Sequence, residues 1–505
     1  MTGASKNKPP LAWSQIMNSS TLTRRDALKR VGVSAVASLT GGPALWPGST
    51  LAADTAEAPR TSTRGKKILV AGGGIAGLCA AYEMMKLGHD VTVLEASGRP
   101  GGHVRTTHDP LPDGLYADLG AEQCTKPGYE LFREYAREFG LELLPYPRRD
   151  GESRYIDGKL YTEEMLTDRK VLGGLGFNDR EAEFLSRHEW HELPRLFFNP
   201  YLDSFVDEYQ PFGVGLDDLD KVSVTDLLRR EHATDTAIRF VGGRETSALY
   251  QVWYTAILKH RGVPMYPKEL FRIRGGNQRM TDAFAARLGA RVRLGCPVTR
   301  IVRGESAVTV HYQEFGEEKK AEADYLVNAI PLPVFKRIPV EPAWPEAKAW
   351  AIENVTYNMQ TRVIFVARSP FWKKDGLKPH MDIGLDHLHQ VWQTAEEVPG
   401  DRCLLMGSAV PGTTEKQALA AFRSRYPGKS MEIEHVITHQ WFADRWSPVC
   451  ERESFRVGQL AKFFPNIMQP VGRIHFVGAY ADNLNWGMEA ATRSANRAAR
   501  VIHRL

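Results

Sequence analysis

From residue 67 onward the chain alternates short, unbroken apolar runs with longer stretches whose apolar positions recur every three or four residues. Residues 68–71 (Ile-Leu-Val-Ala) form one such run and predict a buried strand. Gly72, Gly74 and Gly77 punctuate the turn that follows, and residues 78–87 predict a helix. A second apolar run at 91–94 predicts another buried strand, which ends on Glu95. Further on, residues 126–270 are rich in aromatics and charge and have a helical pattern. The segment 274–280 opens a helix that reaches Leu288. Strands are predicted at 292–294, 298–302, 308–312 and 323–329, and residues 334–440 mix both periods. A short strand at 473–478 precedes a helix over Gly487–Arg504, with Met488, Ala491, Ala495, Ala498, Ala499 and Ile502 at helical spacing.

Strands alternating with helices predict an α/β fold. The organisation expected is a discontinuous Rossmann-like dinucleotide-binding domain built from 66–125, 271–332 and 441–505. A mixed α+β substrate domain, 126–270 and 333–440, is threaded between those segments.

The first turn carries chemistry. Gly72 permits the tight turn, Gly74 lets a pyrophosphate approach the backbone, and Gly77 lets helix and strand pack closely. The helix start around Ile75 and Ala76 presents free N–H groups and a positive dipole end to phosphate. Glu95 stands where a carboxylate can accept from ribose hydroxyls. A second loop, 98–106, places Gly101 and Gly102 between Arg99 and Arg105, and both its backbone N–H groups and its guanidinium groups suit phosphate.

Composition is that of an ordinary globular protein: 43% hydrophobic and 25% charged over 505 residues. The formal charge of +5 lies entirely in residues 1–53, where six basic residues oppose Asp26. The remaining body is therefore neutral, which excludes nucleic acid as the main partner. Five scattered cysteines without C-x-x-C spacing argue against a disulfide framework or a zinc site, with one optional disulfide left open. The histidine clusters 188/191 and 380/387/389 read as exposed or loop histidines, so no metal is expected. The aromatic stretch 197–201 is open between cavity wall, core and membrane-touching patch.

Thr23-Arg24-Arg25-Asp26-Ala27-Leu28 precedes a mild apolar run at 31–39 and small residues at 51–53. This resembles a twin-arginine export signal. The run is too short and too broken by Gly and Pro to span a bilayer. Residues 1–53 are read as the signal and 54–65 as a linker. The partners expected include the export machinery, and the location is the periplasm or cell exterior of a bacterium.

Over residues 66–505 the chain resembles the flavin-containing amine oxidase superfamily, the monoamine oxidase-like group. The resemblance rests on Gly72–Gly77, Glu95 and Arg99–Arg105, on Gly275-Gly276-Asn277-Gln278-Arg279 and on Asn328-Ala329-Ile330-Pro331. Ser369-Pro370-Phe371-Trp372 and the stretch from His475 through Gly478 to Ala491 complete it. It implies a GR2-type fold and FAD as cofactor. The residues it implies for cofactor binding are Gly72, Gly74, Ile75, Ala76, Gly77, Glu95, Ala96, Arg99, Gly102, His103, Arg105, Gly120, Ala121, Glu122, Val298, Cys450, Gly478, Ala479, Gly487 and Met488. Val298 falls where the family makes a backbone contact to adenine. Cys450 falls where some members attach the flavin covalently. Two readings stand for it, a cysteinyl–FAD bond and an unreactive thiol.

The chain departs from the family at four places. Arg362 occupies the position of the usual lysine near flavin N5. It either holds a water or carboxylate there or pairs with an acid inside the sheet, and being always charged it cannot serve as a neutral base. The aromatic pair that frames the substrate amine is replaced by Glu451 and Gly487, with Trp486, Tyr480, Trp446 and Phe455 as alternative substitute aromatics. His103 replaces an arginine, and the nearest acid after Gly478 is Asp482. Arg362 and Trp486 are the catalytic candidates. The resemblance implies an exported FAD-dependent oxidoreductase that moves a hydride from a substrate C–H to flavin N5. The substrate expected is a small amine, and oxygen or a periplasmic acceptor takes the electrons. The alternatives are a desaturase or dehydrogenase of an apolar terpenoid or lipid, and a non-catalytic FAD-bearing subunit.

Overall fold

Five parallel strands make the sheet that carries the glycine turn. Their order is Val292–Arg293, Asp90–Leu94, Lys67–Ala71, Tyr325–Asn328 and Ile474–Phe476. The computed structural model describes residues 65–505 apart from 375, 377 and 450. The export signal, nearly all of the linker and Cys450 thus lie outside the described residues.

The unbroken apolar runs are explained by burial: Ile68, Val70, Val91, Val93, Leu326 and Val327 are buried in a sheet with no solvated face. Ala71 pairs with both Leu94 and Asn328, and Asn328 pairs with Phe476. Four strands therefore end level with one another. Gly72, Glu95, Ala329 and Val477 leave the sheet side by side at its carboxyl edge, the place where open α/β sheets bind ligands. The helices Ile75–Lys86, Gln278–Leu288 and Gly487–Arg504 share one core with this sheet. Ala80 and Ala81 of the first and Ala491, Ala495 and Ala498 of the last are buried in it, and such small side chains let helices approach closely.

A seven-stranded mixed sheet forms the second layer system, in the order Ile433–Gln440, Thr361–Ala367, Cys403–Ala409, Leu388–Thr394, Met381–Leu385, Ser153–Ile156, Lys159–Tyr161. Arg362 pairs with Ser408, and Ser408 with Gln390. These three form one row and project from one face, because side chains alternate along a strand. Their neighbours Val363 and Val391 enter a core on the other face.

Several boundaries differ from the sequence pattern. The strand expected at 323–329 is two elements. Glu317–Ala323 closes an antiparallel hairpin with Val308–Glu314, and Tyr325–Asn328 joins the parallel sheet. Asp324 makes the corner, where its carboxylate accepts from Lys67 N at 2.8 Å. The first helix begins at Ile75, three residues early, because Gly74 adopts the extended conformation of a cap. Residues 126–270 include short strands as well as helices: Leu143–Pro145 pairs with Leu270–Ile273, and Ser153–Ile156 and Lys159–Tyr161 join the large sheet. Phe197 and Phe198 are fully buried core of the helix Leu193–Leu202. Cys79, Cys124, Cys296 and Cys403 are buried free thiols. Among the described residues no helix is long and apolar enough to cross a membrane.

Candidate active site at the carboxyl edge of the parallel sheet

A cavity of about 720 Å³ opens where the level strands end, within the roughly 300–1,000 Å³ of small-molecule sites. Gly72 turns the chain out of the first strand with φ +104°, a conformation that favours glycine, and Ala329 backbone lies 3.0 Å from where a Cβ would stand. Gly77, one helical turn on, faces the Gly72 carbonyl so closely that a Cβ would lie 2.0 Å from that oxygen. At Gly74, by contrast, nothing lies within 4 Å of the Cβ position. Gly74, Ile75 and Ala76 line the cavity, and the helix they open has no side-chain cap, so its first N–H groups remain available.

Glu95 lines the same end, buried, with Oε2 accepting from Gly73 N at 2.5 Å and Oε1 from Ser97 N at 2.8 Å. Each oxygen keeps acceptor capacity for a ribose hydroxyl. Ala96, Val298, Gly102, Gly478 and Ala479 continue the wall. Gly487 and Met488 bring a second helix start, also without a side-chain cap, to the same cavity. Two uncapped helix starts, a ribose-type acid and open space at the one glycine that needs it fit a dinucleotide such as FAD.

Gly120, Ala121 and Glu122 lead to the polar end. Glu122 is buried and receives Arg148 Nη1 at 2.6 Å, Arg362 Nη2 at 3.5 Å and Trp392 Nε1 at 3.1 Å. Arg362 therefore does both things expected of it: it pairs with an acid and it lines the cavity. Gln390 and Ser408, from the same row of the large sheet, line it too. His103 is half-buried, its ring tilted against that of Trp441 with centroids 3.9 Å apart. Burial, then Arg362 and His439, push it down to about 3, so it is neutral and takes no part as a cation. Glu451 is half-buried and faces the cavity. Burial pushes its carboxyl up to about 7, opposed by Arg362, Arg452 and the Gly487 N–H.

Other expected residues stand back from the cavity. Gly77 packs behind the turn. Arg99 is folded onto its own loop and donates to Gly102 O at 2.7 Å and Pro100 O at 3.2 Å. Arg105 is not part of the lining. Trp486 stacks on Tyr129 with centroids 5.9 Å apart, donates to Tyr254 Oη at 2.5 Å, and lines a separate cavity. Cys450 lies outside the described residues. The central glycine segment works as a clamp: Asp118 accepts from Asn277 N at 2.9 Å and Thr106 Oγ1 at 2.5 Å. Asp482 holds Arg497 at 2.7 Å and Arg493 at 3.3 Å, fastening the last helix to the loop before it. His188 and His191 lie against Phe184 and Tyr266, and no group of three metal-ligating side chains exists among the described residues.

Arg148, Arg149, Gln390, Ser408 and Tyr129 line the cavity without having stood out in the sequence. The one local signal was the adjacent pair Arg148-Arg149, which by itself has no spacing that names a ligand.

Residues 75–503 match the model of the flavin containing amine oxidoreductase family. The L-amino-acid oxidase of Bothrops pauloensis is 25% identical over 462 residues, covering 87% of this chain and 89% of that protein. The L-amino-acid oxidase of Daboia russelii is 26% identical over 463 residues, with 87% and 89% covered. Among solved structures, a putrescine oxidase bound to putrescine superposes with TM-score 0.74 at 22% identity, covering 87% of this chain and 99% of that one. A cyclohexylamine oxidase from Brevibacterium oxydans does so with TM-score 0.71 at 22% identity and the same coverage. At that identity these two establish the shared fold.

Proposed function

The chain belongs to the flavin containing amine oxidoreductase family, an FAD-dependent oxidoreductase, and from that membership we propose that it oxidises a small amine to an imine. Bound FAD supplies the acceptor for the hydride that leaves the carbon bearing the nitrogen. The observation that carries this reading is the polar end of the cavity, where Glu451 and the Glu122–Arg148–Arg362 cluster stand next to the cofactor-type walls.

A neutral nitrogen favours hydride loss, so a substrate ammonium must first give up a proton. Glu451, pushed up to about 7, is matched to hold that proton near neutral pH. Arg362, permanently charged, orients Glu122 instead of acting as a base. Oxygen or a periplasmic acceptor then takes the electrons. The alternative of an apolar terpenoid or lipid is disfavoured: such a guest would strip water from Arg149, Glu451 and the Glu122 cluster with nothing polar in exchange.

Anaerobic mixing of the yellow holoenzyme with a panel of amines and amino acids tests the proposal. Loss of the flavin absorbance with amines is expected. Loss only with alkenes or lipids would establish the desaturase reading, and loss with nothing the non-catalytic one. Protein that is colourless and cannot be reconstituted with FAD would remove the whole reading.

We also infer that residues 1–53 direct twin-arginine export, which carries folded protein and would let the cofactor be loaded first. Replacing Arg24 and Arg25 by Lys should hold the protein in the cytoplasm, and unchanged export would refute the inference.

A further inference from the structure

A second cavity of about 370 Å³ adjoins the first and shares Gln123, Tyr129, Arg149 and Glu451 with it. Tyr250, Tyr254 and Trp486 give it aromatic walls, and among the described residues Arg149 and Glu451 are its only charged ones. The two charges differ in how they are matched. Around the polar end, Arg148 and Arg362 both face Glu122, and Glu451 has Arg362 and Arg452 nearby. Arg149 has no carboxylate within 4 Å among the described residues. It uses one of the five N–H donors of a guanidinium, donating from Nη1 to Pro267 O at 2.7 Å. Its guanidinium lies 3.8 Å over the Tyr266 ring, and Tyr266 is itself stacked 3.5 Å from His191 on its other side and bonded to Glu152 at 3.0 Å.

That stack fixes the plane of the guanidinium while leaving its remaining donors without a protein acceptor. A cation taken largely out of water and left unpaired is costly, and here burial and Arg148 press its pKa down. An anion supplied by the guest removes that cost and can be held bidentately. Asn485 is a second open group. Its Oδ1 is buried without a partner, while Nδ2 donates to Arg452 O at 2.6 Å.

We propose that Arg149 is the counter-ion for a substrate carboxylate, so that the amine oxidised here belongs to an amino acid whose side chain enters the aromatic second cavity. This rests on the amine-oxidising reading above. It separates the two kinds of substrate named among the similar proteins, amino acids on one side and putrescine or cyclohexylamine on the other. Asn485 Oδ1 offers the side chain an acceptor, and Glu451 stands at the amine.

Calorimetric titration of the holoenzyme with benzoate and with benzamide, close in shape but with a neutral amide in place of the carboxylate, tests Arg149 without any turnover. Benzoate should bind at least about tenfold more tightly. Arg149→Gln should weaken benzoate by about 10- to 150-fold and leave benzamide unchanged. Arg149→Lys should restore part of the affinity, a point charge replacing the fork. Equal binding of the two probes to the native enzyme, or full benzoate affinity in an Arg149→Gln variant with normal FAD content, overturns the proposal. If Arg149→Gln fails to fold, the native probe pair and Arg149→Lys decide. Anaerobic reduction by L-phenylalanine against phenethylamine separates the two readings. Equal half-saturation by both would refute the role of Arg149 and keep amine oxidation. Arg149-dependent benzoate binding with no reduction by any amine would refute the function and keep the anion site.

Discussion

The carboxyl of Glu451 stands against the backbone of Gly487: a Cβ on Gly487 would lie 3.1 Å from Glu451 Oε1 and 3.6 Å from the Tyr129 hydroxyl. The two departures from the family's aromatic pair thus adjoin in space, and a side chain at 487 would press on the carboxyl at 451. The carboxyl also inherits a buried position, which is why its proton comes off near neutrality.

If Glu451 takes the substrate proton, the carboxylate form is the active one, and it grows as pH rises through about 7. Anaerobic flavin reduction by the native enzyme should therefore accelerate over that range. Glu451→Gln should lose this limb and slow by about 10²- to 10⁴-fold. Stopped-flow pH profiles of the two proteins check it, and a retained limb in the variant would place the titrating group elsewhere.

Glu122 carries two arginines and an indole N–H in a buried position. Glu122→Ala should cost about 3–5 kcal/mol, because it strands Arg148 and Arg362 without a counter-charge. Urea unfolding with the FAD content held constant measures this, and a loss below about 1 kcal/mol would mean that the arginines have found water.

Glu489 accepts from Leu131 N at 3.2 Å and Phe132 N at 3.0 Å at the start of the helix Glu130–Glu138, and burial pushes it up from 4.5 to about 8. A raised folded-state pKa means that the native protein binds the extra proton. The stability so gained is full below about pH 4.5 and is lost as pH rises through about 8. Asp118, pushed up to about 7 by burial, acts in the same direction. Glu489→Gln should remove part of this slope, so that the melting temperature of the variant rises relative to that of the native protein by a few degrees from pH 5 to pH 9. Thermal melts across that range provide the check, with parallel curves counting against it.

Gly77→Ala should open the first turn. Its Cβ would meet the Gly72 carbonyl oxygen at 2.0 Å and Ala329 Cβ at 3.0 Å, backbone that cannot step aside locally. A stability loss of about 1–3 kcal/mol is expected, together with protein that purifies largely without FAD. The ratio of flavin to protein absorbance reads this directly.

The two cofactor-type ends of the site were legible from residue order. Gly72, Gly74, Glu95 and Gly487 all reach the cavity, and their spacing within a strand–turn–helix or at a helix start is what makes them recognisable, whereas Val298, which also reaches it, follows from the family resemblance. The corner at Asp324 was not legible, since two strands of different sheets adjoin there in one apolar-rich run. The substrate end was the least legible. Glu122 and Arg362 are 240 positions apart in sequence, and Arg149 owes its role to Pro267 and Tyr266, which hold it, with no carboxylate among the described residues within 4 Å.

By itself the sequence determined the periods of strand and helix and the turn at which a dinucleotide is held. These depend on steric and hydrogen-bond preferences that act within a few residues. Only the tertiary structure decided which charges meet: Glu122 with Arg148 and Arg362, Glu451 with the bare backbone of Gly487, and Arg149 with no carboxylate within 4 Å among the described residues. A buried charge takes its character from whatever packing brings within about 4–6 Å, and here Arg362 and Trp392 reach Glu122, and Pro267 reaches Arg149, from segments more than a hundred residues away.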